Sequence, residues 1–341
     1  MIDLRSDTVT MPTEEMYDAM VKAKLGDDVF QEDPTVNELE NKAAGIMGKS
    51  AGLLVPSGTM GNLVSILVHC KRGTELLLGD KSHTFYYEAG GISAFGGIHS
   101  RQLKNQKDGK IKISDIESSI RADNVHFPRT SAITLENTHN LCNGSPLEAD
   151  YVNDVVKIAH ACGMKVHVDG ARIFNAAVSL EVDVKSLVKN VDSVTFCLSK
   201  GLSCPIGSVI CGPEDFIKEA NRWRKMLGGG MRQAGVFAAA GIVGLNSMID
   251  RMDEDHENAK RLAFGLSEFS EIIIDPERIK TNIVRFDLKE MDSDYFTAKL
   301  RGNGVLVNGS VKTKNLRMVT HYGIISEDID YTIEKVSKIV N

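Results

Sequence analysis

The 341-residue sequence is short of several residue types, with one tryptophan, eight prolines and only 6% aromatic residues. It has no uninterrupted apolar run of bilayer-spanning length, which argues against a membrane protein. The opening "MIDLRSDTVT" has no apolar core, so no secretory signal is expected there. Basic blocks are missing too. With 40 Lys+Arg against 46 Asp+Glu, the net charge of −6 suits neither nucleic acid nor an anionic membrane as partner. Cys70, Cys142, Cys162, Cys197, Cys204 and Cys211 form no CxxC pair and are too sparse for a disulfide scaffold. They read as reduced thiols of a cytoplasmic protein. Repeats, low-complexity segments and Pro/Gly linkers are also lacking, so any two domains here are joined directly.

The patterns that are present describe an α/β protein. Residues 13–24 read as a helix, with Glu14 and Glu15 in its first turn and Met16, Tyr17, Met20 and Val21 on one face. In "DPTVNELENKAAGIMG", Asp33 caps, Pro34 opens the helix and Gly48 ends it. Short apolar runs follow at 51–55, 74–78, 97–103, 130–136, 165–169, 192–198 and 207–211, separated by helical segments. They predict a doubly wound, mostly parallel seven-stranded sheet covered on both faces. Residues 233–268 read as one long or broken helix. Strands at "EIIID", "TNIVRFDL" and "NLRMVTH", with helices near 292–302 and 326–340, predict a small α+β domain. The expected division is a large domain over 1–248, its N-terminal segment packing near the site, and a small one over 249–341.

Ligands of open α/β sheets gather at the carboxyl ends of the strands, and four unusual features fall there. After 51–55, "PSGTMGN" sets Ser57, Gly58 and Thr59 at a strand-to-helix turn. Free N–H groups at a helix start suit a phosphate, although turn plus N-cap is the plainer reading. No GK[ST] follows, which excludes a nucleotide P-loop. After 74–78, His83 heads the cluster Phe85–Tyr86–Tyr87, either as a ring that stacks on a heteroaromatic or as a packed loop histidine. After 165–169, Asp169 is either a cap or the partner of a buried cationic ring nitrogen, and Arg172 offers a fork for a carboxylate or phenolate.

The fourth feature is Lys200, the single charged residue of "SVTFCLSKGLSCPIGSVICG". A strand-end lysine ordinarily snorkels to solvent. Here its sequence neighbours supply no counter-charge, which favours a neutral amine able to attack a carbonyl. A phosphate cup, a stacking ring, an aspartate and an amine able to hold an aldehyde together describe one cofactor, pyridoxal 5′-phosphate.

The segments "LRSDTVTMPT", "VPSGTMGN", "ENTHN", "HVDGARIFNA", "CLSKGL" and "GGGMRQAG" resemble those of the low-specificity L-threonine aldolases, pyridoxal-phosphate enzymes of fold type I. The resemblance runs from residue 3 to about residue 322; the stretch between 270 and 315 is nondescript. It implies retro-aldol cleavage of L-threonine or L-allo-threonine to glycine and acetaldehyde. It also implies a Schiff base at Lys200, ring-nitrogen pairing by Asp169, stacking by His83, and phosphate binding by Gly58 and Thr59. Arg172 and Arg317, with Ser6, are expected on the substrate carboxylate, closing the site between domains. Dimers paired into tetramers with shared active sites are expected, Arg232 reaching a neighbour's phosphate. His83 and His126 are both candidates for the base that takes the β-hydroxyl proton.

Phe30 and Gln31 depart from the family, which commonly has Tyr and Gly there, so any role of a phenolic hydroxyl is lost. Competing readings are another enzyme of the same fold (a desulfurase, β-eliminating lyase or aminotransferase) or a metabolite-binding protein without catalysis. A desulfurase needs a reactive thiol; Cys204, flanked by Leu202 and Pro205, reads rather as a packed one.

Overall fold

A computed structural model describes residues 1–310 and 313–340. The two helices predicted near the N-terminus are α1 (Glu14–Lys22) and α2 (Pro34–Met47). In α2 the local chemistry is as read: Asp33 Oδ1 accepts the N–H groups of Thr35 and Val36, Pro34 opens the helix, and Gly48 closes it at φ +64°. In α1 only Met16 of the four proposed core residues is buried. Tyr17 and Val21 are exposed, because the face of α1 that packs on the helix Gly235–Ser247 is a narrower stripe than the periodicity suggests.

Strand β1 (Ile2–Asp3) lies outside the main sheet. That sheet contains β2 (Ala51–Val55), β3 (Glu75–Gly79), β4 (His99–Leu103), β5 (Thr130–Glu136), β6 (Lys165–Asp169), β7 (Ser193–Cys197) and β8 (Ser208–Gly212). Their order is β2-β8-β7-β6-β5-β3-β4. Pairing is parallel from β7 through β4, whereas β8 runs antiparallel to both neighbours. Because β2 and β7 flank β8, they point the same way, and the carboxyl ends of all strands but β8 meet along one edge. Helix α3 (Gly58–His69) crosses from the end of β2 over this sheet. Strands β3, β7 and β8 are buried throughout, and β5 and β6 are buried toward their carboxyl ends, as crossover helices on both faces require.

The region 233–268 is two helices, Gly235–Ser247 and Met252–Ser267. The first joins the core of the large sheet; the second starts there at Met252 and enters a separate core from Ala259 onward. That second core lies under an antiparallel sheet ordered β12-β13-β10-β9, with β9 at Ile272–Ile273, β10 at Ile283–Leu288, β12 at Asn308–Ser310 and β13 at Thr313–Val319. Helices Ser293–Gly302 and Ser326–Val340 complete the lobe. The N-terminus belongs with it as well: β1 pairs with β11 (Val305–Leu306), and Leu4 is fully buried in the second core. The chain therefore enters through the small lobe and passes the carboxyl edge of the large sheet before α1.

Candidate active site

The turn after β2 leaves two backbone donors free. Ser57 takes an extended conformation and its Oγ accepts Met60 N–H at 3.2 Å, while its carbonyl accepts Gly61 N–H. Gly58 and Thr59, the first residues of α3, have no intrahelical acceptor, so their N–H groups and the helix dipole face the same small space. The Ser57 hydroxyl is spent on the cap, and Ser57 does not line that space. Only glycine fits at 58: a Cβ there would stand 2.8 Å from Cys197 Sγ.

The other strand ends converge on this point. Asp169, at the end of β6, is 3% exposed and accepts Asn62 Nδ2 at 2.9 Å and Ala171 N–H at 3.1 Å. Burial pushes its pKa up, and the nearby Glu136 carboxylate adds to that shift; His83 and Lys200 oppose it. After β3, His83 donates its backbone N–H to Glu136 Oε2 at 2.7 Å, and its Nδ1 pairs with Glu88 Oε1 at 2.9 Å. Burial lowers the imidazole pKa, but the hydrogen bond to Glu88 and the surrounding carboxylates more than offset this and raise it.

His83, Glu88 and Asp169 bring polar atoms within 4.8 Å of one another, a spacing that would also suit a cation. Asn62 Nδ2 already donates to both carboxylates, at 2.9 Å each, and so supplies the positive edge that an ion would. The opposite side of that amide, Oδ1, meets His167 Nε2 at 3.2 Å, and His167 Nδ1 continues to Ser193 and thence His69. Burial holds His167 and His69 at pKa values of about 3 and about 4, so both are neutral and their hydrogen bonds fix the Asn62 amide.

Two adjoining cavities meet at Lys200 and His83. The smaller, about 140 Å³, is lined by Gly58, Thr59, Asn62, Asp169, Cys197 and Ser199 besides these two. The larger, about 900 Å³, opens between the lobes. Its walls include Ser6, Tyr87, Arg172, Arg285, Asn308 and Arg317. The apolar surroundings read for Lys200 in sequence are not those it has in space: the carboxylates of Asp7 and Asp169 both feel its charge.

Asp7 is the residue that local sequence did not reveal. It lies within "LRSDTVTMPT" but received no role there. In the structure it is fully buried and grips Arg172 with a two-point fork, Nε to Oδ2 at 2.6 Å and the terminal nitrogen to Oδ1 at 2.7 Å. Burial would raise the Asp7 pKa, yet Arg172 brings it far below the usual carboxylate range. Arg317, on β13, donates to Asn140 Oδ1 and to the carbonyl of Arg5, both at 2.9 Å, and its buried Nε has no partner among the described residues. Burial and the charge of Arg172 lower its pKa to about 10. Ser6 caps the turn Asp7–Val9 and lines the larger cavity beside these arginines.

Besides Ser57, two of the sequence candidates do not line this pocket within one chain. His126 is on an exposed loop next to Phe127, against whose ring Arg121 packs. Arg232 is exposed and pairs with Asp27 at 2.9 Å. Phe30 is 69% exposed, with Gln31 behind it in the left-handed region at φ +60°. Cys204 is buried, and burial pushes its thiol up to about 12, which leaves no reactive thiolate for desulfurase chemistry.

The small compartment fits pyridoxal phosphate on its own chemistry. It offers two free helix-start N–H groups, and the buried Ser208 hydroxyl nearby lacks a partner among the described residues. It also offers a desolvated carboxylate, an imidazole and a lysine amine.

Comparison with known proteins agrees with this. The profile of the family described as beta-eliminating lyase matches residues 3–289. Low-specificity L-threonine aldolase 1 of Arabidopsis thaliana is 45% identical over 339 residues, covering 97% of this chain and 94% of its own. The low specificity L-threonine aldolase of Escherichia coli K12 is 42% identical over 329 residues, covering 96% of each. Among solved structures, threonine aldolase from Leishmania major superposes with a TM-score of 0.84 over the full length of both chains at 16% identity, a likeness of fold. No helix among the described residues is long and apolar enough to cross a membrane.

Proposed function

Since the chain belongs to the low-specificity L-threonine aldolases within the beta-eliminating lyase family, we propose that it splits L-threonine and L-allo-threonine into glycine and acetaldehyde. The observation that carries the reading is the position of Lys200, at the junction of an anion cradle with a buried carboxylate and an arginine-lined cavity.

In this reading Gly58 and Thr59 N–H groups would hold the phosphate of pyridoxal phosphate, Asp169 would pair with its ring nitrogen, His83 would flank the ring and Lys200 Nζ would hold the aldehyde. When bound, that cofactor supplies a conjugated ring that accepts the electron pair of the broken Cα–Cβ bond. The protein supplies orientation. Arg172 and Arg317, with Ser6, would clamp the α-carboxylate and so orient the Cα–Cβ bond for cleavage. Asp7 keeps the Arg172 fork in place from behind. Glu88 occupies His83 Nδ1, which leaves Nε2 to take the β-hydroxyl proton, directly or through a water. His126 has no such access within its own chain.

The exposed apolar side chains of Phe30, Tyr86, Phe95 and Met226 support assembly into dimers or tetramers, in which Arg232 and His126 would serve a neighbouring site. Light scattering of the purified protein tests this; a monomer would refute it. The large-sheet lobe and the small lobe, the latter including β1 and Leu4, act in this scheme as two domains that clasp the substrate. The unpaired cysteines go with a cytoplasmic location.

The decisive experiment offers the purified enzyme L-threonine, L-allo-threonine, L-alanine with an oxo-acid, and L-cysteine in turn. Acetaldehyde and glycine from the first two are the expected products. Sulfide or amino transfer without acetaldehyde would overturn the assignment. Visible absorbance and borohydride trapping should both disappear in Lys200→Ala, and a trapped adduct persisting in that variant would contradict the role of the lysine.

A further inference from the structure

The wall of the larger cavity contributed by the small lobe carries two arginines side by side. Strands β10 and β13 are antiparallel, and Arg285 stands directly opposite Arg317 in their register. Directly opposed residues on one face of a sheet are about 5 Å apart at Cβ, and like charges placed so are destabilising. Both guanidiniums are only partly exposed and both line the cavity. They share one residue as acceptor: Arg285 Nε donates to the Asn140 carbonyl at 3.3 Å, and Arg317 donates to Asn140 Oδ1 at 2.9 Å.

Neither arginine contacts a carboxylate among the described residues. The other hydrogen bond of Arg285 goes to Asn315 Oδ1; Asp287, which accepts that amide at 3.0 Å, attracts the guanidinium through space but does not touch it. Burial accordingly lowers the pKa of Arg285, as it does that of Arg317.

The charges in this wall do not balance for a substrate with a neutral side chain. Arg172 is neutralised by Asp7. The α-carboxylate of an amino acid neutralises Arg317. Arg285 is then left as a part-buried cation lining the same cavity as Arg317 and Lys200, and a cation so placed is costly unless an anion joins it. The cavity, about 900 Å³ in the single chain, leaves room for a β-substituent larger than the methyl group of threonine.

We propose that Arg285 forms a second anion subsite, so that the substrates of this enzyme include β-hydroxy-α-amino acids whose β-substituent ends in a carboxylate or phosphate. The inference rests on the aldolase reading and extends it. The reaction keeps its balance. The Cα–Cβ bond breaks, the β-hydroxyl oxygen becomes the aldehyde oxygen as its proton leaves, and Cα takes up a proton to give glycine. The anion stays on the aldehyde product, as in glyoxylate from 3-hydroxyaspartate.

The test compares charged substrates with neutral isosteres on the holoenzyme, reading glycine release. The pairs are 3-hydroxy-L-aspartate against 3-hydroxy-L-asparagine, and 4-phosphonooxy-L-threonine against 4-hydroxy-L-threonine. A charge-assisted contact of this kind predicts roughly tenfold or greater preference in kcat/KM for the charged member of at least one pair. Which pair shows it distinguishes a carboxylate subsite from a phosphate subsite. The preference should vanish in Arg285→Gln and survive in part in Arg285→Lys. Calorimetry gives an independent readout: succinate should bind the wild-type enzyme more tightly than succinamate, and Arg285→Gln should remove that difference. Equal kcat/KM within both pairs for the wild-type enzyme would overturn the subsite even if no variant folds. Acetaldehyde from L-threonine in the same preparation would show that the aldolase reading survives that result; no acetaldehyde would sink the reading itself.

Discussion

Replacing Asp7 by Asn probes the contact on which the carboxylate clamp depends. Asp7 is fully buried, Arg172 is 6% exposed, and two charge-assisted hydrogen bonds of 2.6 and 2.7 Å join them. Asn282 Nδ2 adds a third, at 3.2 Å. Removing one partner of a buried ion pair costs about 3–5 kcal/mol, because the other charge stays buried without compensation. Asparagine keeps the shape and one acceptor, so a loss of about 3 kcal/mol is expected, equivalent to a fall of roughly 4 °C in thermal midpoint for a chain of this length. Turnover of L-threonine should fall as well, since a fork no longer held from behind misplaces the carboxylate; misplacement by about 1 Å can cost about a hundredfold.

The pH dependence has a definite sign. The folded-state pKa of Asp7 is depressed, so its contribution is complete above the unfolded value of about 3.9 and is lost as pH falls from there toward the lower folded value. Asp7→Asn should flatten that acid limb in denaturation curves measured at successive pH values. The sharper test is the double variant Asp7→Asn with Arg172→Gln, which removes both charges and should be less destabilised than Asp7→Asn alone. A single variant within about 0.5 kcal/mol of wild type, or a double variant worse than the single one, would refute the buried-pair argument.

Gly58→Ala should place a methyl group against Cys197 Sγ and cost about 1–3 kcal/mol in denaturant titration, with pyridoxal phosphate bound more weakly. Adding Cys197→Ala should recover most of that stability, and failure to do so would show that the close approach is not the cause. Glu88→Gln removes the main group that raises the His83 pKa, so the His83 ring titration followed by NMR should move to lower pH. An unchanged or higher midpoint would mean that Glu88 does not set the protonation of that ring.

What the sequence by itself determined was local and repetitive. Seven apolar runs between helical segments specify a covered parallel sheet, because burying both faces demands apolar residues whatever lies elsewhere in the chain. Asp33–Pro34 and Gly48 bound α2 because capping and the left-handed turn are settled within a few residues. Gly58, Thr59, Asp169 and Lys200 were legible for a related reason: each breaks the composition of a strand end, where such sheets bind ligands. The stripe on α1 read too wide, since periodicity shows which residues can be buried but not how much surface a neighbour offers.

Tertiary structure alone decided the charge pairings. Asp7 meets Arg172 across 165 positions of chain. Asn62 comes between Glu88 and Asp169 through the crossing of α3 over the sheet, and Arg285 faces Arg317 through the register of β10 with β13. Coulomb energy and hydrogen bonding depend on distance in space. No window along the chain contains both partners of such a pair, so the electrostatics of the site emerge only when the strands are in register and the lobes are closed together.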